Sequence, residues 1–133
     1  MWTEQQLRDL LVGQEVECMK GTSLVLKNGT ILDMYESEQD CCAHAAGEWE
    51  IIGSEDFHGG ITDLEYEVVK KEGEEYDSEP SYLTVTLLHN QNPVAKANGY
   101  ADMGNGGYYF SVLNLKVRLP NGEVVDEPIL RSR

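Results

Sequence analysis

Apolar and polar residues alternate with a period of two along most of this chain, and with the period of a helix only near its start. Leu7, Leu10 and Leu11 share one helical face. Thr3 is placed to cap that helix, Gln6 three residues on completes a capping box, Trp2 can staple onto Leu7, and Gly13 can end the helix. The pattern predicts a helix over residues 4–12 whose leucine stripe covers part of a sheet. Strand patterns follow at 15–19 and 23–27. Asn28-Gly29 signals a type I′ turn, which needs φ > 0 at both central residues, and predicts a hairpin from 24–27 to 30–35. Residues 36–48 read as an acidic connection, and strand character returns at 49–52.

After a polar loop at 54–60, Leu64, Tyr66 and Val68 alternate with Asp63, Glu65 and Glu67, the pattern of a strand with one wet face. Residues 71–80 hold five acids and almost nothing apolar, and predict an acidic, mobile loop. Leu83, Val85 and Leu87 mark the next strand, which turns at 90–93. Residues 94–101 and 108–119 flank Gly104-Asn105-Gly106-Gly107, read as a flexible hairpin connection, with Tyr109, Leu113, Leu115, Val117 and Leu119 on one face. Pro120-Asn121-Gly122 turns the chain again, and 123–125 read as a last short strand. Pro128 then ends pairing and leaves a flexible tail over 128–133, with Arg131 and Arg133 in it.

Turn chemistry between strands roughly 10 residues apart points to antiparallel pairing. With one helix only, parallel βαβ units are excluded. The predicted fold is α+β, mainly β: one domain over 1–133, an antiparallel meander sheet or open barrel with one short N-terminal helix. A chain of 133 residues is long enough for one hydrophobic core without disulfides or metals.

Charge changes the picture more than composition does. Asp and Glu number 24 against 10 Lys and Arg, a formal net charge of -14. Between Asp33 and Glu79 there are 16 acids and two bases, Lys70 and Lys71. A surface of that sign repels nucleic acid and anionic membranes and attracts basic proteins or cations. No basic-then-apolar leader and no run of membrane-spanning length is visible. Three cysteines, two of them adjacent, suit reduced thiols in a cytoplasmic protein.

Candidate chemistry is sparse. Cys41, Cys42 and His44 offer soft ligands, with His58 and Cys18 more distant, and a zinc-stabilised module is one reading; adjacent cysteines, however, diverge in extended chain, and zinc sites usually use separated pairs. A cysteine nucleophile needs a cationic neighbourhood, and this one is acidic. The segment from Asp102 lacks the ligand spacing of a calcium loop, and Gly104–Gly107 precedes neither a helix nor a lysine as a phosphate loop would. No catalytic, cofactor-binding or metal-binding residue is assigned, and the protein is read as a non-enzyme. Tyr100, Tyr108, Tyr109 and Phe110 cluster about the Gly-rich stretch, either packing on the sheet or forming a small-molecule or nucleotide site, for which Lys96, Lys116 and Arg118 are the local cations.

A Val12-Gly13 start, Asn28-Gly29-Thr30, Gln39-Asp40-Cys41-Cys42, Trp49-Glu50 and the late Gly-Asn-Gly-Gly-Tyr-Tyr-Phe run together resemble a family of small proteins encoded mostly by bacteriophages, notably those of actinobacteria. The likeness covers about residues 10–119, and the vicinal cysteines and the Gly-Tyr-Tyr element are its most specific parts. No established activity comes with it. The resemblance implies a phage accessory protein working in a bacterial cytoplasm. Combined with the charge, the expected function is inhibition of, or interaction with, a host protein through a basic, possibly nucleic-acid-binding site, by a row of acids that imitates phosphate. Direct nucleic-acid and membrane contacts are not expected. The expected contact residues are Glu36, Glu38, Asp40, Glu72, Glu74, Glu75, Asp77 and Glu79.

Overall fold

A computed structural model describes residues 1–53, 59–69, 80–104 and 109–132. Its helix α1 (Glu4–Leu11) is followed by β1 (Val16–Lys20), β2 (Ser23–Leu26), β3 (Ile31–Gln39), β4 (Ala45–Ile51), β5 (Asp63–Val69), β6 (Ser81–His89), β7 (Asn92–Ala101), β8 (Ser111–Arg118) and β9 (Val124–Arg131). The strands divide between a five-stranded sheet, β1-β2-β3-β8-β9, and a four-stranded sheet, β4-β7-β6-β5. Every pairing is antiparallel, and no barrel closes among the described residues. The mainly β, antiparallel, one-helix fold is therefore the one the residue pattern predicts.

The core lies between the sheets because alternate residues of each strand point inward. Leu24, Leu32, Leu113, Leu115 and Val117 come from one sheet, and Trp49, Leu64, Leu83, Val85 and Leu87 from the other. The helix forms as its cap predicts. Thr3 Oγ1 accepts from Gln6 N at 3.1 Å, and Gln6 Oε1 accepts from Thr3 N at 2.9 Å. Leu7 and Leu11 are fully buried. Trp2 N donates to Pro128 O and Trp2 Nε1 to Leu115 O, while Arg8 pairs with Asp63 and donates to Leu64 O. These contacts tie α1 to both sheets, at β8 and β9 on one side and β5 on the other.

Four local expectations change. The turn at Asn28-Gly29 is not type I′: only Gly29 has positive φ (+96°), and Asn28 instead accepts from Thr30 N through its side chain at 3.0 Å. The same arrangement recurs at Pro120-Asn121-Gly122, where Gly122 sits at +92° and Asn121 accepts from Glu123 N. Positive φ at both central residues occurs at Asn90 (+47°) and Gln91 (+71°), in the two-residue turn between β6 and β7. Second, β3 runs on through Gln39, so the acidic connection shrinks to residues 40–44. A bulge between Glu36 and Glu38 lets the strand continue against β8. Third, the chain from β7 to β8 crosses from one sheet to the other and is not a hairpin. Fourth, pairing does not stop at Pro128. β9 is an edge strand, where a missing N–H is tolerated, and the register shift opposite Leu113/Asn114 absorbs the irregularity. Ile129 and Leu130 are fully buried, and β9 runs on through Arg131, so this stretch is a paired strand and not a tail. The acidic loop predicted at 71–80 falls, apart from Pro80, outside the described residues.

Candidate functional site

The outer face of the four-stranded sheet is built from three rows set by the strand register. Ala46, Tyr100, Tyr82 and Val69 form the first; Glu48, Asn98, Thr84 and Glu67 the second; Glu50, Lys96, Thr86 and Glu65 the third. Trp49 faces the core, so its neighbours Glu48 and Glu50 face solvent; Leu64 does the same for Glu65. All four glutamates are exposed. They occupy the two edge strands, with Asn98, Lys96, Thr84 and Thr86 between them. Three strand spacings separate the two pairs, about 14 Å, and within a pair the carboxylates are about 7 Å apart. Two acidic rails thus flank a nearly neutral trough whose only cation among the described residues is Lys96.

The first row is aromatic and ends the trough. Tyr82 is 51% exposed and Tyr100 36%. Between this row and Glu48 and Asn98 lies a groove of about 450 Å³, which Thr22 also lines from the β1–β2 turn. Its floor is the backbone of Gly47 and Gly99, which pair there across β4 and β7 and whose Cβ positions face the core.

The five-stranded sheet carries acids too, and two of them are hydrogen-bonded, as Glu50 is on the other sheet by Asn98 Nδ2 at 3.4 Å. On the five-stranded sheet Asp33, Lys116 and Asp126 stand in one row. Ser23 Oγ donates to Asp33 at 3.0 Å, while Tyr35 Oη and Asn114 Nδ2 donate to Asp126 at 2.5 and 2.8 Å. The tyrosine hydrogen bond holds the Asp126 carboxyl below its ordinary range, and the same bond raises the Tyr35 phenol. With a lowered carboxyl pKa, this contribution to stability is full above the ordinary aspartate range and is lost as pH falls through the depressed value. In Tyr35→Phe the Asp126 titration midpoint, read by carboxyl carbon NMR, is expected to move upward.

Of the predicted contact residues, Glu36, Glu38 and Asp40 lie among the described residues, and none of the three is on the rails. Glu36 turns toward the β3–β4 connection, where its Oε2 accepts from Ala45 N at 2.7 Å and lies 3.8 Å from His44 Nδ1. It is a structural acceptor. Glu36→Ala is expected to lower stability by about 1–2 kcal/mol, since a partly buried N–H loses a charged acceptor. Glu38→Ala, at an exposed position, is expected to change it by less than about 0.5 kcal/mol. Urea unfolding of the two variants checks the contrast. Glu38 and Asp40 are exposed but lie at the far end of β3, away from the rails. Glu72, Glu74, Glu75, Asp77 and Glu79 lie outside the described residues.

Cys41 and Cys42 occupy the turn after β3. Cys41 takes φ +44°, and Ala43 N closes the turn on Asp40 O. Asp102 Oδ1 accepts from His44 N and Gly104 N, and Ser111 Oγ donates to His44 O or Asp102 O, so the corner is held by polar side chains. Tyr109 meets Cys41 here, and that hydrogen bond, followed by the nearby thiols, raises its hydroxyl pKa. Tyr109 and Tyr100 consequently serve different places; Tyr108 lies outside the described residues. None of the three cysteines is in a disulfide, and no three His, Cys, Asp or Glu side chains come together as a metal site among the described residues. No helix among them is long and apolar enough to cross a membrane.

Sequence reasoning picked out Glu65 and Glu67 as a wet face but missed Glu48 and Glu50. The signal was present in Ala45, Gly47 and Trp49, small or apolar at every second position. No curated protein and no solved structure matches the chain. A family described as a domain of unknown function (DUF7448) matches residues 9–115, from the middle of α1 through most of β8. That span covers both rails, the groove and the cysteine turn, and the chain belongs to the DUF7448 family.

Proposed function

We propose that this protein is a non-enzymatic interaction module, a bacteriophage accessory protein of the host cytoplasm, whose acidic four-stranded face binds a basic site on a host protein. The reading is supported above all by the two glutamate rails: four exposed carboxylates on one rigid surface. Duplex DNA presents one charge per about 1.7 Å of axis across grooves about 6 and 12 Å wide. Rails about 14 Å apart match the separation of charge across the wider groove better than its density. The protein therefore competes for part of a nucleic-acid site rather than copying a long duplex. Phage origin and cytoplasmic action follow from the family resemblance of the cysteine and Gly-Tyr-Tyr elements.

Immobilised protein in host lysate at low ionic strength is expected to retain a nucleic-acid-binding protein that is released by salt and by added duplex DNA. Retention of none, or of proteins that DNA does not displace, contradicts the proposal. Acids on edge strands also keep those edges from pairing with other chains. If that were their whole purpose, neutralising them would promote aggregation and leave partner binding unchanged.

A further inference from the structure

The groove beside Glu48 combines features the rails alone do not need. Tyr82 and Tyr100 are direct cross-strand neighbours and give a continuous, solvent-facing aromatic surface. Glu48 and Asn98 stand one row away, about 7 Å along the strands. The floor between them is the backbone of Gly47 and Gly99. Aromatic rings attract cations through their faces, and a planar guanidinium both stacks on a ring and forks onto a carboxylate, which an ammonium does not. Glu48 in the groove and the three other rail carboxylates on the same face select the sign of the occupant.

We infer that this groove receives the guanidinium group of an arginine on the bound partner, with the aromatic pair as its bed and Glu48 as its counter-charge. The inference rests on the acidic-face reading and names its anchor. A partner so held is rich in arginine at its contact, as nucleic-acid-binding surfaces commonly are.

Fluorescence anisotropy with labelled nona-arginine and nona-lysine peptides, equal in charge, tests it. Wild-type protein is expected to bind the arginine peptide about five- to tenfold more tightly, the range that stacking at a partly exposed site provides. Tyr100→Ala and Tyr82→Ala, each checked for an unchanged melting temperature, are expected to erase that preference and leave the salt-dependent binding common to both peptides. Glu65→Gln with Glu67→Gln is expected to weaken both peptides alike. Equal affinity for the two peptides, unaffected by either tyrosine change, overturns the arginine site while the acidic-face reading stands. Failure of both peptides to bind at low salt overturns the two together. A rise in melting temperature with AMP or ATP that Tyr100→Ala abolishes overturns the inference in favour of a small-molecule site.

Discussion

Leu113→Ala is expected to destabilise the protein by about 3–4 kcal/mol and Gly99→Ala by about 2 kcal/mol, and the two costs are not expected to add. Leu113 is fully buried on β8, and its Cδ2 lies against Gly47 and Gly99 of the facing sheet. A methyl at Gly99 would lie 2.6 Å from Leu113 Cδ2, and one at Gly47 would lie 3.1 Å from the same atom and 3.0 Å from Met34. The paired glycines are thus a socket for the leucine. Truncating the leucine removes its transfer energy and leaves a cavity. Filling the socket at Gly99 forces the leucine, which has no solvent to retreat into, off its rotamer. In the Leu113→Ala background the added methyl occupies vacated space, so Gly99→Ala there is expected to be neutral or stabilising. A double-mutant cycle by urea unfolding should give a coupling of about 2 kcal/mol. Strict additivity would show that the sheets do not approach each other through this pair.

Neutralising the rails, Glu48, Glu50, Glu65 and Glu67 all to Gln, is expected to weaken binding of the retained host partner about a hundredfold at low salt. Exposed charges contribute about 0.2–1 kcal/mol each to such contacts, and four of them give roughly 2–3 kcal/mol. Stability is expected to change little, because none of the four stands directly opposite another carboxylate on the neighbouring strand. The effect should fade as salt rises. At physiological ionic strength the screening length is about 8 Å, shorter than the distance between the rails, and each then acts alone. Titration calorimetry across a salt series measures this. A quadruple variant with wild-type affinity at low salt would place the contact elsewhere, and charge reversal on the chain between β5 and β6 would then be the next comparison.

Local order was the legible part of this fold. The capping box at Thr3 and Gln6, the alternation through Leu64, Tyr66 and Val68, and that through Leu83, Val85 and Leu87 can each be read within about ten residues. The partition into two sheets could not, because β3 meets β8 and β4 meets β7 across distances that no local pattern encodes. Pro128 misled for a physical reason: a proline stops a central strand but not an edge strand with a bulge beside it. Asn28-Gly29 misled because Asn can serve a turn through its side chain as well as through a left-handed backbone. The site was half legible for the same reason as the sheets. Net acidity and the wet face of β5 are properties of one segment, whereas the rails exist only once β4 and β5 are placed at opposite edges of one sheet. Glu36 shows the converse, a carboxylate conspicuous in sequence that folding consumes.

Carbodiimide footprinting with mass spectrometry, on the protein alone and with its retained partner, examines the acidic face most directly. Glu48, Glu50, Glu65 and Glu67 should lose reactivity together in the complex, while Asp33 and Glu38 keep theirs. Protection of the five-stranded face, with the four glutamates still fully reactive, would contradict the account.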